Sequence, residues 1–281
     1  MWILFVFMYV ILAVCYTQFY KIVTKTSKKC SGSLTVLLQV GAGFSALLLS
    51  PFFKFTFPTD WKVYALLGVA CIFYAISDRM NTTIRKGLEA STFSIISQLS
   101  TVFMILAGLL FFKEPFVWKK IIGAALIIFS NILIFYKKGT QKLDKYVILA
   151  ILANIAFSIA LFLDVNISDN FNLAFYVSLT LFVPALFITI AEKVKFSDIK
   201  EEFKTGNKKA MLATSLSWGS MIVVQLRAYQ LGEVTSVSPL CALTVIVNVI
   251  VGYFLLKERS NLVKKIIAAT ITIISVFLIK G

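Results

Sequence analysis

The chain alternates long apolar runs with short stretches that contain charged residues, glycine or proline. Each run is about as long as the roughly 20 residues that a helix needs to cross a bilayer. The runs are apolar on all sides, unlike helices that pack on a soluble core, and they lack the alternation of a membrane β-barrel. The pattern therefore predicts an all-α integral membrane protein with ten transmembrane helices. The predicted spans are residues 2–20, 33–53, 61–77, 89–112, 117–136, 145–163, 171–191, 209–230, 233–256 and 262–279.

Composition leaves little room for any other domain. Hydrophobic residues make up 59% of the 281 positions and charged residues 15%, with a mean hydropathy of +0.89. A soluble domain carries about 25% charged residues. Ten spans with short loops use almost the whole chain, which excludes a soluble catalytic domain. Histidine is absent and the four cysteines have no CxxC spacing, so we expect no metal site, no disulfide framework and no cofactor.

The net charge of +15 is explained by membrane topology. Of the 28 lysines and arginines, 21 fall around the predicted loops on one side of the membrane and seven on the other. Because cytoplasmic loops are rich in basic residues, both termini are predicted to lie outside the cytoplasm. The basic clusters alternate with apolar runs instead of covering one face of a domain, so no nucleic-acid partner is expected. The first run lacks a basic n-region and is predicted to be a retained span.

An internal repeat divides the sequence. The segments GLEASTFSI and FFKEPFVWKKII are repeated as LGEVTSVSP and LLKERSNLVKKII. Glu89 and Glu114 are 25 residues apart, as are Glu233 and Glu258. The spacing predicts two five-helix repeats, residues 1–140 and 141–281. Because five spans is an odd number, the second repeat enters the membrane from the opposite side, which is the inverted architecture of secondary transporters.

Glutamates close the fourth and ninth predicted spans, in FFKEP and LLKER. With ten spans in two repeats, this pattern resembles the EamA-type family of drug/metabolite transporters over essentially the whole chain. Pro239, 19 residues before Glu258, also suits the ninth span of that family, whereas the first copy has Ile95 at the matching position. The resemblance implies a monomeric carrier of small metabolites or drugs, without a cofactor and with a central cavity. Many members keep both termini in the cytoplasm, whereas the charge bias here argues for the reverse.

Polar and aromatic side chains inside the spans are candidates for substrate binding, since polar groups in a span tend to face the bundle interior or a water-filled path. Gln98 and Ser94 give the fourth span a polar face, and Asn154 lies in a series of small residues in the sixth. The alternative for the amides is an interhelical hydrogen bond, and for the aromatics it is filling of the bundle. The candidate substrate-binding residues are Tyr16, Tyr74, Ser94, Gln98, Asn154, Trp218, Gln225 and Asn248.

Asp78 and Arg227 are candidates for coupling or gating. Asp78, near the predicted end of the third span, either pairs with neighbouring Arg79 or binds a coupling proton. Arg227 either snorkels to the membrane interface or attracts anionic solutes to an outer vestibule, with Glu233 as a resting partner.

Glu114 and Glu258 are the other two candidates for coupling or gating. They lie at helix ends where the dipole disfavours a carboxylate, so each is expected to pair with lysines and to lock a helical hairpin. The expected partners are Lys119, Lys120, Lys264 and Lys265. Glu89 and Glu233, in contrast, precede serine or threonine at helix starts and are predicted to cap them.

Together these features predict a secondary transporter in the bacterial cytoplasmic membrane. It would move a neutral, zwitterionic or weakly charged organic solute by alternating access, driven by protons or by exchange. An alternative is an exchanger for nucleotide-type or other anionic metabolites. The sequence contains no nucleophile with a base, which argues against an intramembrane enzyme, no filter-like loop of a channel, and no ATP-binding P-loop.

Overall fold

The computed structural model of the chain describes residues 2–27, 32–111, 117–135, 144–258 and 261–280. Within these ranges every regular element is helical. The first half contains α1 Trp2–Thr26, α2 Gly32–Leu47, α3 Trp61–Gly87, α4 Ala90–Ile96, α5 Leu99–Leu110 and α6 Trp118–Phe135. The second half contains α7 Lys145–Ile167, α8 Leu173–Ala191, α9 Phe196–Thr205, α10 Lys208–Leu231, α11 Val234–Cys241, α12 Thr244–Leu255 and α13 Leu262–Lys280. Two short 3₁₀ turns lie at Ser50–Phe52 and Ser168–Asn170.

Several long helices begin at an Asp or Asn whose side chain accepts a hydrogen bond from a backbone N–H of the first turn. Asp60 accepts from Lys62 before α3, and Asp144 accepts from Tyr146 before α7. Such caps satisfy donors that the start of a helix leaves free. They also set where each apolar run begins. The same arrangement starts α8 at Asn172 and α10 at Asn207.

Six helical segments among the described residues are long and apolar enough to cross a membrane. They are Trp2–Thr26, Gly32–Phe52, Trp61–Gly87, Ala90–Leu110, Lys145–Asn170 and Leu173–Ala191. Two shorter apolar helices, Ile121–Ser130 and Thr244–Leu255, accompany them. Large apolar side chains cover the outside of the bundle, including Leu4, Phe7, Ile11, Phe44 and Leu48. An outward apolar surface fits contact with lipid, and the chain is a multi-pass integral membrane protein.

The third helix is longer than predicted. The sequence predicts an end at Ser77, because the next residues are polar, yet α3 continues to Gly87. Asp78, Thr82 and Arg85 are all buried in this extension. The helix continues because these side chains have interior partners, which neighbouring helices provide and which the local sequence does not reveal.

The connection between α8 and α10 is also more ordered than predicted, because part of it forms helix α9. Phe196 and Phe203 are exposed on α9, whereas Glu202 is buried and accepts hydrogen bonds from Ser27 Oγ at 3.1 and 3.0 Å. Exposed aromatics on a lysine-containing helix are typical of helices that lie at a membrane surface.

The predicted fourth and ninth spans are each broken near their middle. Between α4 and α5, the N–H of Gln98 donates to the carbonyl of Ile95 at 3.1 Å. Between α11 and α12, the N–H of Leu243 donates to the carbonyl of Leu240 at 3.1 Å. Both bonds span three residues instead of the helical four. The two breaks therefore divide two long apolar segments at corresponding positions of the sequence repeat.

Helices of the first half pack mainly on helices of the second half. Helix α1 lies along α10, α3 along α7, α2 along α8, and α6 along α13. The broken spans meet where α5 contacts α11 and α4 contacts α12. This arrangement surrounds a central space with walls from both halves of the chain.

Candidate substrate cavity

A cavity of about 140 Å³ lies between the halves of the bundle. Its walls come from α1, α3, α4, α5, α7, α8, α10, α11 and α12. All eight candidate substrate-binding residues line it, together with Asp78. Arg227 and Glu258 are not among its lining residues, and Glu114 lies outside the described residues. The structure thus brings the candidates together, while their role in binding stays a prediction.

Asn248 connects three helices at one end of the cavity. Its Oδ1 accepts from Gln18 Nε2 of α1 at 2.9 Å, and its Nδ2 donates to Ser94 Oγ of α4 at 3.0 Å. The Gln18 amide also donates to the backbone carbonyl of Asn248 at 3.2 Å. This network matches the packing alternative for Asn248 and Ser94, because it joins helices of both halves.

Gln98 and Asn154 bond differently. Asn154 Nδ2 donates to the carbonyl of Ala150 at 2.7 Å, and Gln98 Nε2 donates to the carbonyl of Ser94 at 3.2 Å. Both bonds stay within one chain segment, and Gln98 Oε1 accepts from Thr101 Oγ1 at 3.3 Å. In the contacts the structure describes, neither amide links two spans. Both side chains line the cavity, where they are available to a ligand.

Aromatic rings form the wall between α1 and α10. The ring centres of Tyr16 and Trp218 are 5.2 Å apart, and those of Tyr20 and Trp218 are 5.8 Å apart. Gln225 lies on the same face of α10, two turns beyond Trp218. The rings pack against each other and also border the cavity, so both sequence interpretations of Tyr16 and Trp218 remain compatible with the structure.

Arg85 lines the cavity. The sequence predicts it to lie in the cytoplasmic loop between the third and fourth spans. Its side chain is 2% exposed, and its guanidinium carbon lies 4.8 Å from the ring centres of Tyr16 and Tyr20 and 4.3 Å from that of Phe93. A sequence signal was present. Asp78, Thr82 and Arg85 follow the spacing of four and three residues that places side chains on one face of a helix.

Asp78 does not pair with Arg79, so that expectation was wrong. Asp78 Oδ2 accepts a hydrogen bond from Gln39 Nε2 at 2.8 Å, whereas Arg79 contacts Glu192 and Thr83. Adjacent residues on a helix point in different directions, so Asp78 turns inward while Arg79 reaches the surface. Proton coupling at Asp78 stays a prediction.

Asp164 is the second buried acid that sequence reasoning missed. Its carboxylate accepts hydrogen bonds from Tyr74 Oη and Tyr176 Oη, each at 2.6 Å, and the residue is fully buried. The predicted sixth span ends at residue 163, because an acid next to an apolar run indicates a boundary. Tyr74 therefore has a bonding role in addition to lining the cavity.

Four charged residues hold the connection between α3 and α4, and we call them the α3–α4 latch: Lys21, Glu89, Glu258 and Lys265. Lys21 Nζ donates to the backbone carbonyls of residues 85 and 88 at the end of α3. Lys265 pairs with Glu89 and lies 4.0 Å from the Glu258 carboxylate. The latch thereby joins both halves of the chain.

Glu258 caps a helix of the other half. Its carboxylate accepts from the N–H of Ala90 at 2.6 Å and from the N–H of Ser91 at 3.0 Å. Glu89 makes no side-chain cap, so the capping predicted for Glu89 was wrong. The carboxylate that offsets the dipole of α4 comes from residue 258 instead. Among the described residues, the expected pairing of Glu258 with lysine is the 4.0 Å contact with Lys265.

Arg227 lies away from the cavity lining, near the end of α10. Its guanidinium donates to Gln230 Oε1 of the same helix at 3.0 Å, and the contact is only partly buried. This position agrees better with snorkelling than with an anion site deep in the bundle.

Comparisons with known proteins agree with the fold. Residues 1–136 match the EamA-like transporter family, which confirms the resemblance drawn from the glutamate motifs. No curated protein matches the sequence. Twenty-five chains of solved structures match it, among them a crystal structure of a protein with 12% sequence identity. That structure superposes with a TM-score of 0.68 over 98% of this chain and 94% of its own. At this identity the likeness shows the fold alone.

Proposed function

Since its first 136 residues match the EamA-like transporter family, we propose that the whole chain is a secondary transporter of this type. It moves a small organic solute across a bacterial cytoplasmic membrane by alternating access, driven by protons or by exchange, and it works as a monomer. The observation that carries the proposal is the cavity of about 140 Å³ inside a membrane-embedded bundle, bordered by helices of both halves. A ligand site between two halves at the centre of the bundle is what this mechanism requires.

The packing of the helices supports two inverted five-helix repeats, residues 1–140 and 141–281. In two such repeats, α1 corresponds to α7, and α3 corresponds to α10. Exchange of the two repeats therefore converts the contact between α1 and α10 into the contact between α7 and α3. Both contacts are present. The breaks at Gln98 and Leu243 occupy matching places in the two repeats, and interrupted helices border substrate sites in transporters with inverted repeats.

We propose further that both termini lie outside the cytoplasm. The basic residues that surround α9 support this orientation, because they belong to the lysine-rich side of the bundle. The test uses a cysteine-free variant that carries Lys200→Cys or, as a matched control, Lys62→Cys, since both lysines are exposed. A membrane-impermeant maleimide applied to intact cells should label position 62 and leave position 200 unlabelled until the cells are permeabilised. Labelling of position 200 in intact cells would reverse the assignment.

Transport itself is tested by solute flux. Comparing metabolites in cells with and without the protein nominates cargo, and counterflow in proteoliposomes then measures its transport. We expect Asn154→Ala and Gln98→Ala to reduce apparent affinity or flux about tenfold, the effect of losing one hydrogen bond to the solute.

Asn166→Ala is the matched control. Asn166 lies on the same helix as Asn154 and donates the same kind of bond, to the carbonyl of Phe162 at 2.7 Å, but it is exposed and outside the cavity. Its replacement should leave flux unchanged. Normal flux in folded Asn154→Ala and Gln98→Ala would remove the cavity assignment, and absence of flux for every nominated solute would count against the transporter proposal.

A second candidate function, an exchanger of anionic metabolites, is favoured by one specific observation. Arg85 places a buried cation in the cavity wall, where the sequence alone indicated none.

A further inference from the structure

We propose that Arg85 binds the carboxylate of the transported solute, and that this solute is a compact organic monocarboxylate. The apolar part of the solute would lie against the rings of Tyr16, Phe93 and Trp218. The inference builds on the proposed function, since it names the substrate class of the same cavity.

The position of Arg85 is unusual for an arginine. It is 2% exposed. Among the described residues that line the cavity, it is the only basic one. Transferring a cation from water into such a place is costly unless hydrogen bonds and an opposite charge compensate it. The contacts of Arg85 therefore indicate whether the protein supplies that compensation.

The protein supplies it only in part. One terminal nitrogen of Arg85 donates to the backbone carbonyl of Thr17 at 3.4 Å, and the buried Nε has no hydrogen-bond partner. No carboxylate of the described residues lies within ion-pair distance of Arg85. A guanidinium carries five N–H donors, so most of its bonding capacity is left for a ligand.

Aromatic rings also surround the guanidinium, and the hydroxyl of Tyr16 interacts with its charge. Three ring centres, of Tyr16, Tyr20 and Phe93, lie within 4.8 Å of its central carbon. Cation–π contacts of this kind stabilise the charge and fix its position. A carboxylate is the ligand group whose two oxygens match the fork of an arginine, in two short and strong hydrogen bonds.

Cavity size and the charges of the lining residues restrict the rest of the ligand. A volume of about 140 Å³ is close to that of cavities that hold a single benzene ring, which favours a compact solute over a nucleotide-sized one. Asp78 lies on the same wall, seven residues before Arg85 on α3, and its Oδ2 is bonded to Gln39. Among the described residues that line the cavity, Arg85 is the only basic one, so a second carboxylate on the ligand would lack a cationic partner there. A monocarboxylate therefore fits better than a dicarboxylate.

The test measures binding to purified full-length protein in detergent. Trp218 serves as the reporter in a variant with Trp2→Phe, Trp61→Phe and Trp118→Phe, because its ring contacts the tyrosines beneath Arg85. The probes are benzoate with benzamide and phenylacetate with phenylacetamide, two pairs of nearly equal shape in which a neutral amide replaces the carboxylate. We expect each carboxylate to bind at least about tenfold more tightly than its amide, as for a charge-assisted bidentate contact.

Arg85→Gln should abolish this preference while the amides bind as before. Arg85→Lys, which keeps the charge but lacks the fork, should retain only part of it. The matched control Arg79→Gln changes an arginine of the same helix that pairs with Glu192 at the surface, and it should keep the full preference. If Arg85→Gln does not fold, the reporter protein and Arg85→Lys still decide the question.

Equal affinity for acid and amide, failure of both carboxylates to bind, or an unchanged preference in Arg85→Lys would overturn the inference. Binding without flux in proteoliposomes would instead refute the proposed function, because the binding measurement involves no transport. The two proposals can therefore fail separately.

Discussion

Two groups of charged side chains lie close together inside this protein, and they differ in how many partners the protein provides for them. In the α3–α4 latch, Lys265 contacts two carboxylates, Lys21 bonds backbone carbonyls, and Glu258 accepts from two backbone amides. In the cavity wall, Arg85 has one long hydrogen bond to the carbonyl of Thr17, an interaction with the Tyr16 hydroxyl, and a buried Nε without a partner. The groups are joined directly, since Lys21 bonds the carbonyl of Arg85 itself.

The difference indicates two purposes for buried charge. A charge whose bonds are completed within the protein stabilises one arrangement of helices, and removing its partner is costly. A charged side chain that still has unused hydrogen-bond donors can bind a solute that enters the cavity. Burial alone does not distinguish a stabilising charge from one that is available to a ligand. The hydrogen-bond and ion-pair partners of the side chain do distinguish them.

The largest effect is expected at the latch. Glu258→Ala removes the acceptor for Ala90 and Ser91 and leaves Lys265 with Glu89 alone. Breaking a buried charged contact costs about 3–5 kcal/mol. Unfolding of the purified protein in detergent, followed by circular dichroism, should show this loss. A variant as stable as the parent would mean that the latch is not the stabilising group we describe.

A smaller loss is expected where a cavity residue also bonds a buried acid. Tyr74→Phe removes one of the two hydroxyls that donate to Asp164. The expected cost is about 1.5–3 kcal/mol, the range for a hydrogen bond to a charged group, measured by the same unfolding experiment. Tyr74→Phe keeps the ring and its contact with the ring of Phe157, so the loss reports the hydroxyl alone. If Tyr74→Phe and the parent protein bind the solute equally well, the Tyr74 hydroxyl stabilises the fold and does not contact the solute.

The smallest effect is expected at the surface pair of Arg79 and Glu192, whose side chains are 28% and 36% exposed. Glu192→Gln should change stability by less than about 1 kcal/mol, since water screens an exposed pair. The same measurement on Glu258→Ala provides the contrast. If Glu192→Gln lowered the free energy of unfolding as much as Glu258→Ala, the proposed difference between the latch and the surface pair would be wrong.

Much of the fold follows from the sequence because lipid imposes a simple rule. A span must be apolar and must satisfy its own backbone, so apolar runs such as those of α1, α7 and α8 could be found from hydropathy. Gln98 and Asn154 could be placed in a cavity wall for the same reason, since amides inside a span avoid lipid.

The missed residues share one physical cause. Arg85 and Asp164 lie where an apolar run gives way to charge, and there the sequence predicts the end of a span. The structure buries both, because rings from α1 and α4 surround Arg85 and hydroxyls from α3 and α8 bond Asp164. Those partners are distant in sequence, so no local pattern reveals them. The same holds for Glu258, whose cap lies in the other half of the chain.

The break between α4 and α5 has a mechanical consequence. With the N–H of Gln98 turned to Ile95, the carbonyl of Ser94 loses its helical donor, and the side-chain amide of Gln98 takes that place at 3.2 Å. The carbonyl of Ser94 is therefore not left without a hydrogen bond inside the bundle, where an unpaired peptide group would cost several kcal/mol. We therefore expect that the angle between α4 and α5 can change without exposing this carbonyl.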